Sequence, residues 1–410
     1  MTTLSAYPTQ RQLILPLVQT LDNLGRTAKP RDVCDGLAAA CGIPPPERER
    51  RVLAGKAGWI NAWDRRVRWA KLSASLRGLV VNAEPNLWSL TTAGRDALGT
   101  AARGTIITVF ETEMGIAVHA DCETAVAYVT DDSIQLILTS PPYPLIRKKP
   151  YGNEPADRYV DWLLECARDW LPKLTADGSL VLNLGDAWLP SVPCQSLYQE
   201  RLLIRLHDEL GLHLAQRLYW YSPSKLPSPA EWVTIRRLRV TPAVEMVYWL
   251  SKSPHPKADN RRVLRQYSDA MRRRLNVGGE RKSRRPSGHL FQDGAFSMDQ
   301  GGSIPHNLLT LPHSHSNDRY QRACRNAGLP VHPARFPAGL PEFFIRLTTD
   351  PGDVAWDPFG GSLTVAETAE RYGVHWIAND RSRIYLDGGA LRFPGATWVV
   401  AQTPAQAKLK

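Results

Sequence analysis

The chain has 410 residues and a mass of 45.8 kDa, more than one ordinary core takes up at roughly 100 to 200 residues per domain. With 43% hydrophobic and 22% charged residues it lies in the globular range, and no run of 18 apolar residues is present to span a bilayer. The net charge of +11 and pI near 9.4 favour an anionic partner, either nucleic acid or a membrane surface, and the start MTTLSAYPTQRQ lacks the features of a secretory signal, which predicts a cytoplasmic protein. None of the six cysteines forms a CxxC pair, so free thiols and no metal site are expected.

Residues 1–105 carry 15 Lys+Arg against 8 Asp+Glu and read as a small helical domain ending in a hairpin. Val67, Ala70, Leu72 and Leu76 recur at helical spacing, Gly78 stops the run, and two short β-rich runs flank a turn at Pro85 and Asn86. The phrase RWAKLSASLRGLV…LWSLTTAGRDAL resembles the winged-helix domain of Mrr-type restriction proteins. If the domain holds DNA, Arg65, Arg66, Arg68 and Lys71 are the candidates for its phosphate-facing side; a dimerisation or structural role is the alternative.

From residue 106 strands alternate with helices, which predicts a mostly parallel sheet with helices on both faces, an α/β fold. Strands are expected at 105–110, 133–139, 179–185 and 244–250, with an amphipathic helix from Tyr159 to Leu174 closed by a turn at Asp177-Gly178. Trp162, Trp170 and Trp249 sit on apolar stripes and are expected in the core. Residues 106–251 hold 13 basic against 18 acidic side chains, whereas 252–330 hold 15 against 6 with little periodicity, so the latter read as a basic, loop-built insertion. His313 and His315 lie there without a placed ligand partner and are read as surface loop. The pattern resumes over 331–397, and 398–410 read as a disordered tail.

Two loops carry chemistry. In DVAWDPFGGSLTVAETAERYGVHWIAND an apolar strand runs into the glycine-bearing turn Asp357–Ser362, a helix follows, and the next strand ends at Asp380, 20 residues past Gly360. Glycine lets a ligand approach the backbone and a terminal carboxylate can accept hydrogen bonds from a ribose diol, so the unit suits a nucleoside-containing cofactor; the missing third glycine disfavours a pyrophosphate. In ILTSPPYP, residues 137–144, two prolines fix the backbone and remove two N–H donors. Ser140 and the carbonyls beside it then form a rack of acceptors for an NH₂ group, and Tyr143 offers a face for a planar base.

TSPPY and DPFGGS together, with GSLVLNLGDAW, RLYWYSPSKLPSPAEW and HPARFPAGLPEFFIRLTTDPGDVAWDPFGGSLT, resemble the β-class amino-methyltransferases of DNA over about residues 115–395. The resemblance implies a Rossmann-like S-adenosylmethionine-dependent methyltransferase sheet, with the catalytic part at 106–251, a target-recognition region at 252–330 and the cofactor part at 331–397. It implies catalytic roles for Ser140, Pro141, Pro142 and Tyr143, and cofactor contacts from Asp357, Phe359, Gly360, Gly361, Ser362, Asp380, His332, Phe336 and Asp121. DNA contacts would come from Arg272, Arg273, Arg274, Arg281, Lys282, Arg284 and Arg285. A serine before PPY goes in this family with N4 of a flipped cytosine, and N6 of adenine is the alternative; a catalytically weak DNA reader, or methylation of RNA or a protein amide, are the rival functions. Double-stranded DNA, a cognate restriction endonuclease and a second copy are the expected partners, in a bacterial, nucleoid-associated setting. One departure stands out: Leu363 and Val365 occupy positions where the family commonly has glycine and threonine.

Overall fold

Apolar side chains at 63, 67, 70 and 74 share one helix face, and an asparagine stands just ahead of them where a first-turn N–H needs an acceptor. In the computed structural model, which describes residues 10, 13–41, 43–53, 58–99, 101, 104, 106–144, 157–312 and 318–398, this segment is the central helix of an N-terminal domain. The domain runs α1 (Ile14–Asn23), β1 (Thr27–Ala28), α2 (Pro30–Ala40), α3 (Pro45–Arg48), β2 (Arg51–Leu53), β3 (Trp59–Asn61), α4 (Ala62–Leu76), β4 (Val80–Glu84), β5 (Leu87–Leu90) and α5 (Thr92–Gly99). Strands β1, β5 and β4 form an antiparallel sheet, and β4–β5 is the wing, with Asn86 in the left-handed region at φ 61°. Asn61 Oδ1 accepts from Asp64 N at 2.9 Å, and Trp63, Val67, Ala70 and Ala74 are buried, with Trp63 Nε1 donating to Cys34 O at 2.9 Å. Leu72 and Leu76, expected inward, are 46% and 82% exposed, because the stripe anchored by Trp63 turns them to the far side of α4. Arg65 and Arg68 are exposed and Arg66 half-buried; Lys71 instead donates to Asn82 Oδ1 of the wing at 2.5 Å.

The rest of the chain adds β6 (Ile107–Glu111), β7 (Gly115–His119), α6 (Cys122–Ala125), β8 (Ile134–Thr139), α7 (Tyr159–Trp170), β9 (Leu174–Leu184), α8 (Tyr198–Leu210), β10 (His213–Tyr221) and β11 (Val244–Ser251). The basic stretch follows with α9 (Asp269–Asn276), β12 (Ser283–Arg284), β13 (Leu290–Phe291), β14 (Leu308–Thr310) and α10 (Arg319–Asn326). The last part holds α11 (Gly339–Thr348), β15 (Val354–Asp357), α12 (Thr364–Arg371), β16 (His375–Asp380), α13 (Arg383–Ala390) and β17 (Thr397–Trp398). Ten strands form one sheet in the order β14-β10-β11-β9-β8-β15-β16-β7-β6-β17. Its middle, β9-β8-β15-β16-β7, is parallel, and β6, β11 and β17 pair antiparallel. One face is covered by α7 and α8 through Leu163, Trp170, Leu202 and Leu206, the other by α11 and α12 through Phe344, Val365 and Ala369. That is the Rossmann-like α/β sheet the strand–helix alternation predicts.

Several local expectations need correction. The helix begun at Tyr159 ends at Trp170, and a short 3₁₀ turn carrying Pro172 leads out of it, since proline cannot continue the ladder. Asp177 and Gly178 do not form a turn: they lie inside β9, where the register against β8 shifts between Leu174 and Ser179. The 252–330 stretch is not loop-built throughout, because β14 extends the main sheet beside β10 and Cys324 of α10 packs on Gly388 of α13. Trp162 is half-buried at a cavity rim rather than in the core. His313, His315 and residues 399–410 lie outside the described residues, and no described helix is long and apolar enough to cross a membrane.

Trp63→Ala removes a fully buried indole from the N-terminal core together with its hydrogen bond to Cys34 O; a loss of about 3–5 kcal/mol is expected. Calorimetry should show the transition of the N-terminal domain lowered, while the sheet around β15 and β16 unfolds as before.

Candidate active site

Parallel strands end on one edge of their sheet, and side chains just past those ends share a crevice wherever the chain order reverses across it. Here β8 and β15 are neighbours, with Leu136 opposite Ala355 and Ile137 opposite Trp356, so the loops after Thr139 and Asp357 leave the sheet side by side. Thr139 Oγ1 donates to Asp357 Oδ1 at 2.6 Å, joining the two loops directly. Both open into one cavity of about 530 Å³. Ser140, Pro141, Pro142 and Tyr143 line it, as do Asp357, Phe359, Gly360, Gly361, Ser362, Asp380, His332, Phe336 and Asp121.

The lobe at β15 and β16 is built from backbone and carboxylates. Gly361 has φ +47°, and a Cβ there would stand 3.1 Å from His332 Nε2. Asp380 Oδ2 accepts from Gly361 N at 2.8 Å and Oδ1 from Ser382 N at 2.7 Å, so the carboxylate first holds the loop and then faces the cavity. Asp121, past the end of β7, caps α6 by accepting from Thr124 N at 2.7 Å; its Oδ2 is buried with no partner among the described residues. Phe359 lies between Trp162 and Trp170, with ring centroids 5.7 Å and 6.1 Å away. His332 sits edge-on to Tyr385 at 4.3 Å, and burial pushes its imidazole down to about 4, so the ring is neutral.

Leu363 sits at the start of α12 in the left-handed region at φ 59°, where glycine has no strain. It is fully buried and leans on Gly389, whose Cβ would fall 2.6 Å from Leu363 Cγ, and it does not line the cavity. The departure from the glycine is thus absorbed behind the loop.

The other lobe is a directed hydrogen-bond chain. Tyr143 packs its ring on Gly185, where a Cβ would stand 2.3 Å away, and donates from its hydroxyl to Glu245 Oε2 at 3.1 Å. Burial, and then the charge of Glu245, push the Tyr143 phenol well above its usual range, which keeps it a donor. The same hydroxyl accepts from Asn183 Nδ2 at 2.9 Å and lies 2.9 Å from Ser140 Oγ. Since the Tyr143 proton is committed to Glu245, Ser140 is the donor in that last pair; its oxygen accepts only a long contact from Asn183 Nδ2 at 3.4 Å and keeps acceptor capacity for a ligand. Asn183 Oδ1 is buried without a partner among the described residues, and Lys225 Nζ donates to Glu245 Oε1 at 2.5 Å.

Asn183, Trp220, Lys225 and Glu245 line this lobe and were missed in sequence. A signal existed for two of them: Asn183 and Glu245 are single polar residues inside the otherwise apolar runs LVLNL and AVEMVYWL.

The predicted basic residues lie apart from the cavity lining. Arg274 and Arg285 both pair with Glu280, at 2.8 and 2.9 Å, and stack over Phe296 and Phe291. Those two build the 269–296 module, whereas Arg272, Arg273, Arg281, Lys282 and Arg284 have no ion pair among the described residues.

Comparison with known proteins agrees with this architecture. The family model described as DNA methylase, of the N6/N4 type, matches residues 134–390, and that of the Mrr N-terminal domain matches residues 11–100. The chain is 48% identical over 265 residues to the type II methyltransferase M.PvuII of Proteus hauseri, covering 64% of this chain and 79% of that one. It is 23% identical over 267 residues to M.BglII of Bacillus subtilis, spanning 63% of that relative's length. Among solved structures, PvuII DNA methyltransferase (cytosine-N4-specific) superimposes with a TM-score of 0.56 at 40% identity, covering 69% of this chain and 87% of that chain.

Burial raises the Asp357 carboxyl to about 7 and the Asp380 carboxyl to about 6, against 3.8 for an ordinary aspartate. A carboxyl raised on folding contributes stability below pH 4 that is lost as pH climbs through its folded value. Buried His119 and His332, both lowered to about 4, act in the opposite sense over the same range. Asp357→Asn keeps an acceptor for Thr139 while removing the titration, so the variant should gain on the wild type by up to a few kcal/mol between pH 4 and pH 8 in urea unfolding; a constant difference would contradict the assignment.

Proposed function

The chain belongs to the N6/N4 DNA methylases, with an Mrr N-terminal domain ahead of the methylase region, and we propose that it transfers a methyl group from S-adenosylmethionine to N4 of a cytosine extruded from duplex DNA. The observation that carries this reading is the single cavity shared by the Ser140–Tyr143 bend and the Asp357–Ser362 loop, tied together by Thr139 and Asp357. Cytosine is favoured over adenine by the serine at position 140 and by the relatedness to M.PvuII, whose solved counterpart bears the name cytosine-N4-specific.

The residues present fit the cofactor. Asp121 Oδ2 is a buried acceptor awaiting a donor, Asp380 faces the cavity as a ribose partner, and Gly361 leaves room against His332 that a side chain would fill. Phe359 and Phe336 add apolar walls for the adenine. When bound, S-adenosylmethionine supplies an electrophilic methyl group on a sulfonium sulfur.

Everything else falls to the protein. An exocyclic amine is a poor nucleophile because its lone pair is delocalised into the ring, and it is out of reach inside a duplex, so the base must leave the stack at a cost of a few kcal/mol. Ser140 Oγ then accepts one amino hydrogen and Asn183 Oδ1 is placed to accept the other, which localises the lone pair and turns it toward the methyl group. The departing proton has a direction, from Ser140 Oγ through the Tyr143 hydroxyl to the Glu245 carboxylate. Leu363 is buried away from the cavity, which supports a working loop over a degenerate reader.

The basic module spanning α9 and the β12–β13 hairpin is the proposed target-recognition surface, with Arg272, Arg273, Arg281, Lys282 and Arg284 reaching phosphate or base edges. Arg65 and Arg68 on α4 are proposed to add contacts from the winged helix. The type II naming of the relatives supports pairing with a cognate endonuclease.

Genomic DNA from an expressing host should contain N4-methylcytosine at one sequence context, and Ser140→Ala should lower kcat by about 10²–10³-fold with duplex affinity retained. Methylated adenine instead would overturn the base assignment, and equal loss of affinity and turnover the role of Ser140. Replacing Arg272 and Arg273 should flatten the dependence of log Kd on log salt by up to about 0.9 per lost phosphate contact, read by fluorescence anisotropy.

A further inference from the structure

Lys225 stands outside the two sequence motifs, on the stretch that follows β10, yet its ammonium lies against the same carboxylate that closes the Ser140–Tyr143 chain. Glu245 is buried and accepts on Oε2 from Tyr143 and from Asn183 at 3.2 Å, and on Oε1 from Lys225 at 2.5 Å. Its two oxygens therefore divide the lobe: Oε2 serves the groups that meet an amino group, Oε1 anchors a cation. The Lys225 side chain is 27% exposed and lines the cavity, so the ammonium spends one of its three N–H bonds on Glu245 and offers the others inward.

A base whose amino group sits at Ser140 and Asn183 presents the rest of its Watson–Crick edge to that cation. Cytosine puts a carbonyl at C2; adenine puts a C–H at the matching place. We propose that Lys225, held by Glu245, is the residue that selects cytosine over adenine, by donating to the C2 carbonyl of the extruded base. The inference rests on the cytosine-N4 reading above and adds a residue that neither motif contains. Glu245, which ends the proton path from Ser140 and Tyr143, also aims Lys225 and fixes the Tyr143 hydroxyl.

The test pairs an enzyme change with a change in the substrate atom, so that coupling is measured. Duplexes would carry at the target position cytosine, 2-thiocytosine, whose sulfur is a weak acceptor, or adenine. Wild type should lose about 10-fold or more in kcat/KM on the thio base, the scale of a charged hydrogen bond lost. Lys225→Met should lose about 10- to 100-fold on cytosine, show little further loss on the thio base, and narrow the cytosine-to-adenine ratio. Because Lys225→Met leaves a buried carboxylate uncompensated, the Lys225→Met/Glu245→Gln double variant is measured beside it, and it should show the same insensitivity to sulfur. Losses that multiply, with the thio penalty as large in both variants as in wild type, would overturn the proposal, as would an unchanged cytosine-to-adenine ratio. Wild-type label appearing in adenine rather than cytosine would instead show that the cytosine reading itself had failed.

Discussion

The contact between Thr139 and Asp357 is where two distant stretches of chain become one site. Both residues are buried, one at the end of each of two parallel neighbours, so their hydrogen bond forms only when β8 and β15 are in register. The bond holds Asp357, which also accepts from Phe359 N at 3.1 Å and thereby sets the first turn of the glycine loop. From the other side Thr139 immediately precedes Ser140, so the same contact fixes where the proline bend begins. Geometry at the two motifs is thus a property of one strand pairing.

Two departures from bland packing are resolved by magnitude. A non-glycine residue in the left-handed region costs roughly 1–2 kcal/mol, while fully burying a leucine side chain is worth about 1.5–3 kcal/mol. Leu363 is buried against a glycine in α13, so burial covers the strain and the loop keeps its shape. A carboxylate at the position of Glu245 would be costly alone, and it is tolerated because three donors from three separate elements converge on it. Breaking that set from any side leaves a buried charge exposed to its own desolvation.

Much of this was legible in the residues. Strand–helix alternation identified the sheet, and the paired motifs placed Ser140, Tyr143, Gly361 and Asp380, all of which line the one cavity. What was not legible came from the third dimension. Leu72 and Leu76 fit a helical period as well as Val67 and Ala70 do, and only the seating of Trp63 decides which stripe is inside. Lys225 is one lysine in a proline-rich stretch, and Glu245 one acid in an apolar strand. Their meaning comes from β11 lying beside β9, which brings Glu245 within reach of Asn183. Arg274 and Arg285 look like their neighbours in sequence, yet Glu280 ties them down to shape the module.

The strand order has a consequence for how the protein comes into being. β7 and β8 follow each other in the chain, but in the sheet two strands stand between them, and those, β15 and β16, are synthesised more than 200 residues later. A nascent chain emerging from the ribosome therefore carries two facing edges of unpaired backbone with nothing to fill the gap, a non-local closure that is slow and prone to aggregation while it waits. The methyl-transfer cleft cannot exist before the final stretch arrives, so a truncated product is catalytically silent by construction, and the N-terminal domain, whose core draws only on residues 13–98, is the part that folds meanwhile, its helix α5 meeting α13 last.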